Sequence, residues 1–136
     1  MNIGNAQIQV KDFMERVGQA CPNKPGFPDI NIVTLREDLI DEEFDELVTA
    51  ITSGDITAVY DALIDLLYVT IGAANAFGLD LEPGWNEVVR SNLTKIPGGY
   101  MRNDGKWMKG PVFQTPKLGY ILDAMKLPQN EDSTPI

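Results

Sequence analysis

Apolar residues recur at helical spacing through most of the 136-residue chain, broken at a few sharp points. Ile8, Phe13, Met14 and Val17 give a rough stripe, predicting a first helix from about Asn5 to Gln19. Pro22, Pro25, Gly26 and Pro28 then break the chain into a loop. Leu35, Leu39, Ile40, Phe44, Leu47, Val48 and Ile51 predict a long second helix from Asn31 to Ser53. Thr52-Ser53-Gly54-Asp55 is a turn, and Asp55 or Thr57 can cap a third helix from Thr57 to Phe77, stopped by Gly78. That third segment is apolar almost all round, which predicts a central buried helix.

Glu82-Pro83 opens a fourth helix bearing Trp85, Val88, Val89 and Leu93, ended by Pro97-Gly98-Gly99. Asn103-Asp104-Gly105-Lys106 reads as a tight turn between two short extended pieces, a candidate hairpin. A last short helix is expected from Pro116 to Met125, followed by a polar tail at 128–136 expected to be disordered. These elements make an all-α chain, a helical bundle with an irregular C-terminal arm, with residues 1–127 read as a single domain.

Composition narrows the chemistry. The 43% hydrophobic and 23% charged content is ordinary for a globular chain. One cysteine, Cys21, cannot form a disulfide within the chain, which fits a reducing, cytoplasmic compartment. The absence of histidine excludes imidazole-ligated zinc, a Ser-His-Asp triad and any histidine general base. A net charge of -9 opposes generic nucleic-acid and anionic-membrane binding. The longest uncharged apolar stretch, Leu66 to Leu79, falls short of the roughly 20 residues that span a bilayer, so no membrane partner is expected. Charge is also uneven. Residues 1–65 hold 13 acids and four bases, whereas 66–136 hold seven of each.

Seven of the ten residues from Glu37 to Glu46 are acidic. On a helical wheel of about 100° per residue, Glu43 falls inside the apolar sector between Leu39 and Leu47, and Glu46 lies at its edge. Glu42 sits on the outer side of Glu46. The third helix repeats the anomaly: Asp61 and Asp65 share one face of an otherwise apolar segment. Inward carboxylates are costly unless paired or metal-bound, and few cations lie nearby in sequence. Oxygen donors without histidine or cysteine point to Mg²⁺ or Mn²⁺. Glu43, Glu46 and Asp65 are therefore the candidate metal ligands, with Asp61 less certain. Glu37, Asp38, Asp41 and Asp45 read as solvated charge.

Glu42-Glu43-x-x-Glu46, followed by Asp61-x-x-x-Asp65-Leu66-Leu67-Tyr68, resembles the all-α nucleoside triphosphate pyrophosphohydrolases. These include MazG proteins, dimeric dUTPases and phosphoribosyl-ATP pyrophosphatase. The run Ala62 to Gly72, the segment Glu87 to Lys95 and Asp104-Gly105-Lys106-x-x-Lys109-Gly110-Pro111 are similar to small, phage-type MazG-like proteins. The resemblance implies a four-helix core and cleavage between the α- and β-phosphates of a (d)NTP, giving a monophosphate and pyrophosphate. It implies two or three Mg²⁺ or Mn²⁺ ions on Glu43, Glu46, Asp65 and Asp61, with Glu42 acting on the attacking water. The family's second motif has Glu where this chain has Ala62, and Asp61 is the candidate substitute. Asn92 and Lys95 match the family's sugar and phosphate contacts, and Lys109 adds a candidate phosphate contact. Gln19 and Tyr68 are candidates for the base, with a lean to dGTP or GTP and dUTP as the alternative. A homodimer or homotetramer is implied. The competing reading from the residues alone is a non-catalytic acidic interaction module. A di-iron carboxylate site is disfavoured because its usual histidines are missing.

Overall fold

The computed structural model describes residues 2–128. Five helices and a two-stranded hairpin follow in the order α1 (Ile3–Arg16), α2 (Ile30–Ser53), α3 (Ile56–Ala76), α4 (Leu81–Leu93), β1 (Tyr100–Met101), β2 (Trp107–Met108) and α5 (Leu118–Lys126). The chain is all-α in class, with an irregular C-terminal region. The expected tail falls, from Gln129 onward, outside the described residues. The chain divides into two compact units between Leu81 and Glu82.

In the first unit, α1 starts earlier than the apolar pattern suggests because Asn2 caps it, its side chain accepting from Gly4 N at 2.8 Å and Asn5 N at 3.3 Å. It stops at Arg16, and the chain turns through Gly18 at φ +83°. Gln19 therefore lies beyond the helix rather than within it. The buried stripe is Ala6, Val10 and Met14, at i, i+4 and i+8. Ile8, Phe13 and Val17, expected on that stripe, are exposed.

Asp29 caps α2 through Asn31 N at 2.9 Å, and left-handed Gly54 ends it. Asp55 caps α3, accepting from Thr57 N at 3.0 Å and Ala58 N at 3.2 Å. The short Gly54–Asp55 link makes α2 and α3 an antiparallel hairpin, the most extensive helix pairing in the fold. Helix α1 packs on α3, and the core gathers Ala6, Val10, Met14, Ile71 and Ala76. A buried polar pair locks this end. Gln7 Nε2 donates to Asn75 Oδ1 at 3.0 Å and to Leu79 O at 2.6 Å, and Gln7 Oε1 accepts from Leu81 N at 2.9 Å.

The expectation of a centrally buried α3 holds for only part of the helix. Its C-terminal half is buried from Ile71 through Ala76, but Tyr60, Leu63, Ile64, Leu67 and Tyr68 are exposed. On α2, Phe44, Val48 and Ile51 are exposed as well. Two helices alone cannot cover both flanks of an apolar segment, so a broad greasy face remains on this unit. At 21 residues and a mean hydropathy of 1.5 in its most apolar window, α3 is long and apolar enough to cross a membrane. It nevertheless carries Asp61 and Asp65, groups that a bilayer interior strongly disfavours.

The second unit is tied by side chains. The hairpin pairs Tyr100 with Met108 and Met101 with Trp107, turning through Gly105 at φ +90°. Trp107 Nε1 donates to Lys95 O at 2.9 Å, and the buried Ser91 hydroxyl donates to Gln114 O at 2.6 Å. Gly110 is required by close approach, because a Cβ there would stand 1.8 Å from Pro97 O. The last helix begins at Leu118, two residues past the expected Pro116.

Candidate metal centre

The α2–α3 hairpin brings Glu43, Glu46 and Asp65 together, with one carboxylate oxygen from each within 4.8 Å of the others. The antiparallel register explains the meeting. Glu43 and Glu46 are one turn apart on α2 and point at the stretch of α3 that carries Asp65. Glu43 and Asp65 are half-buried, and Glu46 is exposed. Ala62, in the place of the family's Glu, is buried at 4% exposure and contributes no oxygen.

The electrostatics are those of an incompletely neutralised set. Burial pushes the Glu43 carboxyl above its usual range, and the charge of Glu46, a hydrogen bond with Glu46, Asp65 and Glu42 push the same way. Burial likewise raises Asp65, with Asp61 and Glu46 adding to it. Two like charges about 4 Å apart near a protein surface repel by about 4 kcal/mol. Among the described residues, the ion pairs are Lys11–Glu15, Asp12–Arg16, Glu87–Arg90 and Arg102–Asp104, and none reaches this cluster. Glu43 Oε2 is buried with no hydrogen-bond partner. A buried, unpartnered carboxylate oxygen facing two more carboxylates is the donor set of a hard divalent cation such as Mg²⁺ or Mn²⁺.

The remaining candidates are distributed as follows. Glu42 is exposed beside the cluster, near enough for its charge to act on Glu43. Asp61 is exposed one turn before Asp65 and lies outside the trio that meets within 4.8 Å. It lines a shallow cleft with Asp55, Thr57, Ala58, Tyr60 and Ile64. Gln19 accepts a hydrogen bond from Arg36 Nη2 at 3.0 Å. Tyr68 meets Phe13 edge-on, with ring centroids 6.1 Å apart. In the second unit Asn92 is exposed, and the ammonium groups of Lys95 and Lys109 both lie over the Phe113 ring, at 5.6 and 4.7 Å from its centroid. That ring holds two cations side by side.

Two residues escaped the sequence reading. Phe113 carried no pattern that could reveal it. Arg36 did, because the same wheel that turned Glu43 inward places Arg36 in that sector, two turns earlier.

Paired carboxylate-bearing helices of this kind define a class of all-α, acid-cluster proteins. The sequence comparison is more specific. Residues 10–92 match the family model described as phosphoribosyl-ATP pyrophosphohydrolase. The chain belongs to that family, and through it to the MazG-like NTP pyrophosphohydrolase superfamily. It is also similar to an uncharacterized protein of Acanthamoeba polyphaga mimivirus, 44% identical over 50 residues. That match covers 37% of this chain and 20% of the relative, so the chain spans about a fifth of the curated relative's length.

Proposed function

We propose that the protein is a metal-dependent nucleoside triphosphate pyrophosphohydrolase, cleaving (d)NTP between the α- and β-phosphates to (d)NMP and pyrophosphate. The carrying observation is the meeting of Glu43, Glu46 and Asp65 within 4.8 Å, with a buried Glu43 oxygen left unpartnered. Family membership supports nucleotide pyrophosphohydrolysis as the general chemistry.

Glu43, Glu46 and Asp65 would hold Mg²⁺ or Mn²⁺, with Asp61 available for a further ion in a site of two or three. The bound metal supplies charge neutralisation for phosphate oxygens and acidifies water. Exposed Glu42 is placed to orient that water and accept its proton. Water oxygen attacks the α-phosphorus, the bond to the bridging oxygen breaks, and pyrophosphate leaves. By the family resemblance, Asn92 contacts sugar or phosphate, and Lys95 and Lys109 supply cationic charge for the departing pyrophosphate. Residues 1–127 are proposed as one functional domain working in the cytoplasm, without nucleic acid or membrane as partner.

A second copy of the chain is the proposed cover for the exposed apolar face of α2 and α3, giving a homodimer or homotetramer. Dispersal to a monomer in sedimentation would remove that part of the proposal.

The test is a panel of canonical NTPs and dNTPs with Mg²⁺, read by pyrophosphate and monophosphate release. Release of orthophosphate, or no turnover of any member with any divalent metal, overturns the reading. The competing acidic interaction module would show no metal-dependent change in melting.

A further inference from the structure

Arg36 is a charged side chain that the fold buries, leaving it 6% exposed. Its Nη2 donates to Gln19 Oε1 at 3.0 Å, while its Nε–H has no acceptor. None of the ion pairs among the described residues involves it. Room for the guanidinium comes from Gly72 on α3. A Cβ at Gly72 would stand 2.8 Å from Arg36 Nη1, with Met14 Sδ 3.8 Å from the same point. A buried donor left unmade costs about 1–3 kcal/mol, and more when charged. A seam that only needed filling would be better served by leucine or methionine. The missing part is an acceptor.

Its position suggests which acceptor. Arg36 lies two helical turns, about 10 Å, before Glu43 on α2, and Gly72 lies two turns after Asp65 on α3. The helices are antiparallel, so both levels belong to one seam. Between them on α3 stands Tyr68, 40% exposed, edge-on to Phe13 of α1, which is 50% exposed. Along the seam run carboxylates, then an aromatic pair, then a group made of donors. A guanidinium has no acceptor atom, and Gln19, with its carbonyl taken by Arg36, has its amide N–H groups left to give.

We propose that Arg36 and Gln19 read the nucleobase of the triphosphate, with its ring against Tyr68 and Phe13, and select bases whose edge carries carbonyl oxygen over those carrying an amino group there. Guanine, hypoxanthine and uracil meet the donors with acceptors. Adenine and cytosine present an amino donor to a donor and leave both sides unpaired. This inference rests on the nucleotide reading of the neighbouring acid cluster, and it gives that site a substrate class.

The test compares kcat/KM for GTP, ITP and UTP with that for ATP and CTP in the native protein, Arg36→Lys and Gly72→Ala. Gly72→Ala keeps the charge, favours the helix and displaces the guanidinium, so it decides the matter if Arg36→Lys fails to fold. One bidentate base contact corresponds to a preference of about 5- to 150-fold. The native protein is expected to show that preference for the carbonyl-bearing bases, and folded variants are expected to lose most of it. Equal use of GTP and ATP by the native protein, or an unchanged ratio in a folded variant, overturns the proposal. A second readout needs neither turnover nor metal: thermal melting in EDTA with GMP, AMP or inorganic phosphate. GMP alone should raise the native midpoint, and should not raise that of Gly72→Ala. A GMP effect in a protein that turns over no triphosphate would sink the hydrolase reading and leave the base pocket standing. Stabilisation by phosphate equal to that by GMP would make Arg36 an anion site and overturn base reading.

Discussion

Two carboxylate environments in this molecule are opposites. In the second unit, Glu87 takes two hydrogen bonds from Arg90, at 2.9 and 2.6 Å, and one from Lys117 N at 2.9 Å. Those donors hold its carboxyl at about 2. In the first unit, Glu43 and Asp65 are pushed above the usual range by burial and by each other's neighbours, and Glu43 keeps an oxygen with no partner. A carboxylate that the protein itself has satisfied serves the fold. Carboxylates gathered without donors destabilise the fold and are explained by something that binds them. The position of an acid relative to its donors separates structure from function more cleanly than its burial does.

The largest expected effect separates the two sites by activity. Glu43→Gln and Asp65→Asn should each lower pyrophosphate release by about 100-fold or more, the scale on which loss of an electrostatic catalytic group acts. Circular dichroism and melting should show both variants folded. Glu87→Gln should act on stability first, so retained activity in the ligand variants would erase the contrast.

Metal binding comes next. At a hundred times its Kd, an ion bound only by the folded state adds about 2.7 kcal/mol. Melting of the native protein should therefore rise with Mg²⁺ or Mn²⁺ over EDTA, as read by scanning calorimetry.

The pH dependence sharpens the comparison because the two signs differ. For Glu43 and Asp65, the folded state binds protons more readily than the unfolded state. Their unfavourable contribution is full above the raised folded values and disappears as pH falls toward ordinary carboxylate values. In EDTA, lowering the pH from 7 toward 5 should thus reduce a penalty, and Glu43→Gln should flatten that limb. For Glu87 the folded value is depressed. Its contribution is full above the unfolded value near 4.5 and is lost as pH falls toward 2. Glu87→Gln should remove that acid limb and leave the neutral one, a small effect measured by urea titration across pH.

Much of the hairpin that carries the candidate site was legible. Gly54, Asp55 and Gly78 marked where α2 ends and α3 begins and stops, because caps and left-handed turns depend on local chemistry. The wheel brought Glu43, Glu46 and Asp65 together because an antiparallel pair preserves the faces that each helix presents. Burial was less legible. Periodicity shows that α3 is apolar all round, but not whether this chain supplies enough neighbours to cover it, and half of the helix remains exposed. Phe13 and Met14 are adjacent in sequence, and the fold buries one and exposes the other. Gln19 was selected as a base contact without its partner, since its bond to Arg36 joins the end of α1 to α2 and follows no local rule. The stacking of Lys95 and Lys109 on Phe113 depends on loop closure around Gly99 and Gly110.

The most direct measurement of the central claim is calorimetric titration of Mn²⁺ into the metal-free native protein and into Asp65→Asn at neutral pH. Saturable binding with proton release in the native protein, lost or weakened at least tenfold in the folded variant, is the predicted result. Absence of binding at millimolar Mn²⁺, or equal binding by the two proteins, would contradict it.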